Sequence, residues 1–311
     1  MSPATAWHES VDDELWDKLV FGLGGHFLQS SHWAAFQRAN GREVRFGQGS
    51  GWQCLAIVER AGDACRLYCP YGPIAADRAG LAAATVALRG LGREVGAGLL
   101  RVEPWVPVDA APPAEAGYEP ARRNVQPGLT WVQDLAGRTR EDLVAAFAAN
   151  NRNRFRNAYK KNLTVAASSD PGDVEILLTM LRDVAAHTGI TNHADDYYRR
   201  QAGVLMARGA ASLYVARHEG HPVGASIVFD SPATRYYTHS GTLREARGLH
   251  PGTVMLATMI LDARDRGQEL FDFVGVAPPD DPDHSWAGLS QFKQSFGGRY
   301  RAYHGTWEQR L

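Results

Sequence analysis

The spacing of hydrophobic and polar residues divides this 311-residue chain into two halves of similar design. In the second half, apolar residues recur three and four positions apart over 174–186, which predicts an amphipathic helix. Apolar runs over 213–217 and 223–229 flank the polar turn sequence His218-Glu219-Gly220-His221-Pro222 and predict a β-hairpin. A third strand is predicted over 234–240.

A further helix and strand complete this half. The helix is predicted over 254–266, with Gly267 in the position of a C-terminal cap, and the strand over 270–274. Helix, three antiparallel strands, helix and strand is the element order of acyltransferases with the GNAT fold. The second half is therefore predicted to be an α/β (α+β) module of that type.

The first half repeats this order less clearly. Its predicted elements are helices over 31–40 and 81–95, and strands over 54–58, 65–69 and 99–103. We therefore expect two tandem GNAT-like modules packed together, the first over residues 1–138 and the second over 139–311. The C-terminal tail, counted here with the second module, can also belong to the first.

Composition and charge limit the partners and the cellular location expected of this protein. A net charge of −1 provides no general attraction to polyanions, so any such contact must be a local patch. The three cysteines, Cys54, Cys65 and Cys69, are an odd number with no nearby histidine, which argues against disulfides and zinc. The N-terminus lacks a signal-peptide pattern, and no apolar run could span a membrane. We expect a cytoplasmic protein with no metal and no membrane insertion.

A basic segment stands between the two modules. Thr139-Arg140-Glu141-Asp142 has the form of a capping box, and apolar residues then recur at helical spacing. This pattern predicts a helix whose apolar face includes Val144, Ala148, Phe155 and Tyr159. No acid occurs from Asn150 to Asn162, and the segment carries five cations: Arg152, Arg154, Arg156, Lys160 and Lys161. It is either a solvated helix face or a contact for a phosphate backbone.

A glycine-containing loop precedes the helix predicted at 254. GNAT enzymes normally bind acetyl-CoA with a Gly-rich loop at this place, because its amides hold the pyrophosphate. Here the loop is Arg247-Gly248-Leu249-His250-Pro251-Gly252-Thr253, and Pro251 removes one amide donor. The loop counts against acyl-CoA as the donor without excluding it.

Lys293 is the strongest candidate for chemistry. It lies between Phe292 and Phe296, just ahead of Gly297-Gly298, and follows the predicted strand Phe271-Asp272-Phe273-Val274-Gly275. A lysine held among apolar neighbours is a positioned cation, which suits an anionic substrate or developing negative charge. A surface lysine beside a turn is the simpler alternative.

Taken together, the motifs resemble the Fem-type (FemABX) aminoacyltransferases. The matching pieces occur in the family's order over nearly the whole chain. They are Phe27-Leu28-Gln29-Ser30 with Trp33, Tyr68-Cys69-Pro70-Tyr71-Gly72-Pro73, Tyr197-Tyr198, Tyr236-Tyr237 before Ser240-Gly241, Phe271-Asp272-Phe273 with Gly275, and Phe292-Lys293 with Phe296-Gly297-Gly298. The helical hairpin that some members insert in the second module has no room here, so a compact member is expected, and the resemblance implies a monomer.

The resemblance implies a reaction and a set of roles. An amine of a small peptide attacks the ester of an aminoacyl-tRNA, which is a co-substrate, and no cofactor is needed. Lys293 would offset negative charge beside a wall formed by Phe292, and Asp272 would belong to the substrate site. Four tyrosines would line the acceptor channel: Tyr71, Tyr197, Tyr198 and Tyr237. Asp77 is a candidate general base, one place beyond the position of the family's acid.

Two departures from the family bear on the acceptor. Relatives that use UDP-linked cell-wall precursors hold the diphosphate with a Lys and an Arg, where this chain has Gln37 and His193, with Arg38 beside Gln37. A neutral Gln and a mostly neutral His bind phosphate less well. We therefore expect a natural-product peptide, free or carrier-bound, although UDP- and lipid-linked precursors stay open. An acyl-CoA-dependent N-acyltransferase and a non-catalytic binding relative are the alternatives.

Overall fold

The computed structural model describes residues 6–105, 114 and 117–311. The chain forms two compact units, one comprising residues up to 129 together with 302–311, and the other residues 130–301. The unit boundary thus lies before residue 130 rather than after 138, because strand β8 (Leu129–Asp134) pairs with a strand of the second unit.

A mostly antiparallel sheet forms the centre of the first unit, in the order β1-β2-β3-β4-β6-β15-β7, with β5 paired to β3. The strands predicted over 54–58 and 65–69 are confirmed as β3 and β4, which form an antiparallel hairpin around Gly62. The strands are β1 (Ala6–His8), β2 (Glu43–Gly49), β3 (Trp52–Ala61), β4 (Ala64–Cys69), β5 (Ile74–Ala75), β6 (Leu99–Val102), β7 (Glu119–Pro120) and β15 (Trp307–Arg310).

Three helices accompany this sheet: α1 (Asp13–Gly22), α2 (Ser31–Ala39) and α3 (Arg78–Val95). Both helices predicted from the sequence are present. The Ser30 side chain accepts a hydrogen bond from the amide of Trp33, which caps α2, and Gly96 ends α3 in the left-handed conformation. Leu81, Leu88 and Leu91 pack on the sheet in one apolar cluster.

The second unit contains one sheet in the order β14-β8-β13-β12-β11-β10-β9. The predicted hairpin and third strand are confirmed as β10, β11 and β12, and the last predicted strand as β13. The strands besides β8 are β9 (Leu163–Ser168), β10 (Ala211–His218), β11 (His221–Asp230), β12 (Thr234–Thr242), β13 (Leu270–Gly275) and β14 (Arg299–Ala302).

Helices cover both faces of this sheet. The predicted helices are α6 and α8, and α7 carries the tyrosine pair. Because α6, α7 and α8 all pack against strands, the described part of the second unit has no projecting helical arm. The helices are α4 (Arg140–Ala146), α5 (Ala149–Arg156), α6 (Val174–Thr188), α7 (Asp195–Ala207), α8 (Pro251–Asp265) and α9 (Ala287–Gln294). Both units thus contain the predicted order of helix, three antiparallel strands, helix and strand.

The prediction of a single helix after residue 139 is wrong. The capping box of Thr139 and Asp142 forms as predicted and starts α4. Phe147 and Ala148 then adopt extended backbone angles, so the helix stops and restarts as α5. A short 3-10 turn over Ala158–Lys161 follows, and Tyr159 is 70% exposed rather than part of an apolar face. No helix in the described part of the chain is long and apolar enough to cross a membrane.

Candidate functional site

Lys293 lies on α9 and reaches the carboxyl end of β13. Its side chain is only 5% exposed, and Nζ donates a hydrogen bond to the backbone carbonyl oxygen of Gly275 at 2.6 Å. Within the described residues the ammonium has no second hydrogen-bond partner. Since an ammonium carries three N–H donors, two are left for a substrate.

The carboxyl group of Asp272 acts on this ammonium. Burial lowers the pKa of Lys293 to about 8, and the charge of Asp272 opposes that decrease. Burial also raises the pKa of Asp272 to about 6, against the effects of the Val274 amide and of the charges on Arg301 and Lys293. At pH 7 Lys293 is therefore mainly a cation, although its proton is held less tightly than that of an exposed lysine.

A strained turn joins Asp272 to Gly275. Val274 has a φ of +63°, in the left-handed region that a β-branched residue seldom adopts. Its amide donates to Asp272 Oδ1 at 2.7 Å, and the pairing of β13 with β8 is irregular between Asp272 and Gly275. Such a conformation costs about 1–3 kcal/mol and is concentrated at functional sites. The turn leaves the Gly275 carbonyl as the acceptor for Lys293.

Strands β12 and β13 separate beside this turn. They pair in parallel only from Thr234 with Leu270 to Tyr236 with Asp272, although β12 continues to Thr242. Phe271 and Phe273 belong to the core cluster that contains much of α8, so Asp272, which alternates with them, faces the other side of the sheet. An opening between β12 and β13 therefore begins at the end of β13. The α8 core cluster lies on one face of the sheet there, and Asp272 lies on the other.

Phe292 lines the α8 side of this opening. Its ring packs against the core cluster and meets Phe296 edge-on at 5.4 Å between ring centres. A Cβ atom placed on Gly252, in the first turn of α8, would lie 3.9 Å from Phe292 Cζ. Pro251 is the first residue of α8, so one amide is missing at the helix start, as the sequence predicted.

Four aromatic rings form a group on the opposite face. The His193 ring stacks on Tyr197 at 4.1 Å between centres, and Tyr198 meets His239 edge-on at 5.0 Å. Burial lowers the pKa of His193, and burial together with His193 lowers that of His239 to about 4. Burial raises the pKa of Tyr197 to about 12. At neutral pH this tyrosine–histidine group (His193, Tyr197, Tyr198, His239) is uncharged.

Tyr237 lies on the other face, away from this group. A β-bulge between Ile227 and Val228 places Tyr237 opposite Val228 but His239 opposite Ile227. The extra residue turns the two side chains to opposite faces. Tyr237 is 9% exposed and belongs to the α8 core cluster, and burial raises its pKa. The expected acceptor channel containing Tyr197, Tyr198 and Tyr237 together is therefore not formed within this unit.

The basic segment, defined as the five cations Arg152, Arg154, Arg156, Lys160 and Lys161, is largely unneutralised. Arg156, Lys160 and Lys161 are exposed, and no ion pair with an acid involves any of the five within the described ranges. Arg152 donates to the carbonyl of Ala145 at 3.1 Å and also to that of Phe147. Arg154 donates to Asn151 Oδ1 at 3.3 Å.

This segment lies beside the loop that leads into α8. Lys161 Nζ donates to the carbonyl of Gly248 at 2.9 Å. Burial and then the charges of Arg154 and Lys161 lower the pKa of His250. The basic segment, the loop over 247–253, Phe292 and Lys293 therefore form a continuous series of neighbours within the second unit.

The first-unit candidates lie on separate elements. Gln37 is half-buried on α2, and the adjacent Arg38 donates to the carbonyl of Glu9 and packs over the Phe46 ring. Burial lowers the pKa of Arg38. The Arg38 guanidinium, which stands beside Gln37, is thus already engaged within the first unit.

Tyr71 and Asp77 have local roles in the first unit. The Tyr71 hydroxyl donates to the Pro127 carbonyl at 2.9 Å, and its ring packs against His26 and Trp105. Asp77 is exposed and caps α3, with Oδ1 accepting from the Gly80 amide at 2.8 Å. Neither the burial nor the partners expected of a general base surround Asp77, so the structure gives it a capping role.

Sequence reasoning missed several residues of this site. No site predicted from the sequence includes His239, and Val274 is predicted only as part of a strand. A histidine two places after the Tyr236-Tyr237 pair was an available signal, but the bulge that turns it towards Tyr198 has no sequence signature. Nothing in the sequence indicated the left-handed conformation of Val274.

Comparison with known proteins supports the fold. Residues 145–294 match the family model described as Acetyltransferase (GNAT) domain. Among solved structures, FemX has a TM-score of 0.87 and 16% identity, covering 98% of this chain and 97% of that chain. L-PGS from Bacillus licheniformis has a TM-score of 0.61 and 16% identity, with 97% and 93% covered.

A third similar structure is a tandem GNAT protein from the clavulanic acid biosynthesis pathway. Its TM-score is 0.52 at 15% identity, covering 86% of this chain and 82% of that chain. No curated protein sequence matches this chain. The chain thus has a tandem GNAT architecture. Over nearly its whole length it resembles FemX in fold, which confirms the predicted resemblance to Fem-type proteins at that level.

Proposed function

We propose that this protein is an aminoacyltransferase that moves an amino acid from a charged tRNA to an amine of a small peptide. The observation that carries the proposal is the buried Lys293 ammonium at the opening between β12 and β13. The basic segment contacts the loop that leads into α8, and the uncharged tyrosine–histidine group lies on the other face of the same sheet.

The reaction needs an amine and an ester held together in a place of low water content. The amine nitrogen attacks the ester carbonyl, the new C–N bond forms, and the C–O bond to the tRNA ribose breaks. The amine proton ends on the released ribose hydroxyl. The two N–H donors of Lys293 that the protein does not use would stabilise the oxyanion of the tetrahedral intermediate, since fixed donors act strongly in a dry site.

The donor would approach on the α8 side. Phosphate groups favour unneutralised Arg and Lys side chains, and the basic segment contacts the α8 loop through Lys161 and Gly248. Phe292, beside Gly252, would form the wall next to the aminoacyl ester. On this path an RNA end bound by the basic segment would reach Lys293 without leaving the second unit.

The acceptor would approach past the tyrosine–histidine group. His193 is neutral at pH 7 because burial lowers its pKa, and Arg38 already contacts Glu9 and Phe46. These features favour a peptide without a diphosphate, either free or carrier-bound, over a UDP-linked precursor. Asp272 is better assigned to the Lys293 turn than to acceptor binding, since its Oδ1 is used by Val274.

The decisive experiment is transfer of radiolabelled amino acids from a total charged-tRNA pool. The purified protein receives a UDP-linked muramyl pentapeptide and, in parallel, free and carrier-bound peptides. We expect label on the latter, abolished by RNase. The Arg152→Ala/Arg154→Ala/Arg156→Ala variant should raise the KM for tRNA and flatten its salt dependence. Transfer that survives RNase would contradict the proposal.

An acyl-CoA-dependent N-acyltransferase is the second candidate. The GNAT family match over 145–294 favours it, because that range includes the 247–253 loop. Against it stands Pro251, which removes an amide from the first turn of α8. Calorimetric titration with acetyl-CoA separates the two, since micromolar binding lost in Gly252→Val would favour the CoA enzyme.

A further inference from the structure

Tyr159 is more exposed than any other large hydrophobic side chain among the described residues, at 70%. Helical spacing predicted that it would pack on an apolar face. Tyr159 points outward instead, because the helix is interrupted at Phe147 and Ala148 and ends in the 3-10 turn over Ala158–Lys161. A single exposed aromatic ring is ordinary on a protein surface, so the case for a ligand at Tyr159 depends on how the ring is held and on the charges beside it.

The turn that carries Tyr159 is held in place. Lys161 donates through Nζ to the Gly248 carbonyl at 2.9 Å, and its own carbonyl lies 2.8 Å from His218 Nδ1. Asn162 ends the turn in the left-handed conformation, and its carbonyl accepts from the Glu219 amide at 3.2 Å. The ring is thus presented from a backbone fixed by two neighbouring elements.

One cation lies near the ring, and two more flank it in sequence. Lys160 Nζ lies 5.9 Å from its centre, and Arg156 and Lys161 are exposed on either side in sequence. None of the three pairs with an acid within the described ranges. A peptide or lipid could cover an aromatic ring. Unneutralised cations beside the ring, however, favour a ligand that combines negative charge with a flat apolar ring. An unpaired nucleotide has both properties.

We propose that Tyr159 is a stacking platform for an unpaired base at the acceptor end of the RNA, with the basic segment holding the adjoining phosphates. This inference rests on the proposed use of aminoacyl-tRNA. It adds a residue that the reaction does not require and assigns it a base-stacking contact, distinct from the salt-dependent contacts of the arginines.

The test uses two RNA hairpins that mimic an acceptor stem, one with a short unpaired 3′ extension and one with a blunt end. Binding is followed by fluorescence anisotropy. Tyr159→Ala should bind the extended hairpin about tenfold more weakly and leave the blunt one unchanged, while Tyr159→Phe keeps full affinity. Equal affinity for both hairpins before and after Tyr159→Ala, or equal losses on both, would overturn the inference.

Two controls separate this inference from the proposed function. Trp286→Ala removes another exposed aromatic of the same unit, 42% exposed and next to Asp280, Asp281 and Asp283, and it should leave both affinities unchanged. The triple arginine variant should weaken both hairpins. If the triple arginine variant weakens binding and Tyr159→Ala does not, only the stacking role of Tyr159 is wrong, and the proposed RNA contact stands. If neither has an effect, the RNA-binding surface itself is wrong.

Discussion

Lys293 donates a hydrogen bond to the carbonyl of Gly275 at 2.6 Å, across the end of β13. That carbonyl follows the left-handed turn at Val274, whose amide is bound by Asp272. Burial of the Lys293 cation, burial of the Asp272 carboxyl group and the left-handed backbone at Val274 each cost folding free energy. Their coincidence at one strand end is the strongest physical indication of an active site in this chain.

The first prediction concerns Lys293→Met. Turnover should fall at least about tenfold, because the oxyanion loses its charged donor. Stability in urea should be equal to or above that of the unchanged protein, because burial lowers the Lys293 pKa and the desolvation cost disappears with the charge. Steady-state transfer and urea unfolding midpoints provide the two measurements.

Lys161→Met is the matched control, since Lys161 is an exposed lysine of the same unit. It should lower tRNA affinity while leaving the rate at saturating tRNA unchanged. Near-normal turnover in a folded Lys293→Met variant would remove the catalytic role and favour a non-catalytic binding protein.

The second prediction concerns pH. In the proposed reaction the protonated form of Lys293 is the active one, so the rate at saturating substrate should fall as pH rises through about 8. The pKa of Lys293 in the folded protein lies below its usual value of 10.5, so between about pH 8 and 10.5 the folded state has released the proton. The unfolded chain then binds more protons, and stability should rise with pH between about 8 and 10.5.

Lys293→Arg checks this assignment, since a guanidinium stays charged throughout the range. Residual activity in that variant should show no decline near pH 8. A decline that persists would belong to a group of the protein other than Lys293, because deprotonation of the attacking amine would raise the rate with pH rather than lower it.

The third prediction separates the charge of Asp272 from its hydrogen bond. Asp272→Asn keeps an Oδ1 acceptor for Val274 but removes the negative charge that raises the Lys293 pKa. The alkaline decline in rate should therefore move to lower pH. Asp272→Ala also frees the Val274 turn and should lower the maximal rate further.

Direct NMR titration of the Lys293 side chain tests the coupling without any substrate. Its pKa should be lower in Asp272→Asn than in the unchanged protein. An unaltered pKa would show that Asp272 does not influence the ammonium, whatever reaction the protein catalyses.

Local patterns predicted much of the fold but little of the site. The hairpin of β10 and β11 follows from two apolar runs around a glycine turn, and α8 from its spacing and Gly267. By contrast, the bulge that separates Tyr237 from His239 and the left-handed Val274 depend on contacts between distant segments. Strand β15 also pairs with β6, a contact far apart in sequence. A single sequence carries no local signal for such contacts.

Asp77 shows how a chemically attractive residue acquires a different role from its surroundings. It is exposed and its Oδ1 accepts the Gly80 amide at the start of α3, so the fourth prediction is a stability effect without a kinetic one. Asp77→Ala should lower the free energy of unfolding by about 1 kcal/mol through loss of the cap. Asp77→Asn should be nearly neutral, because asparagine caps as well as aspartate. Turnover should be unchanged in both. If Asp77→Asn folds normally yet loses turnover, the carboxylate takes part in the reaction and the general base must be sought at the start of α3.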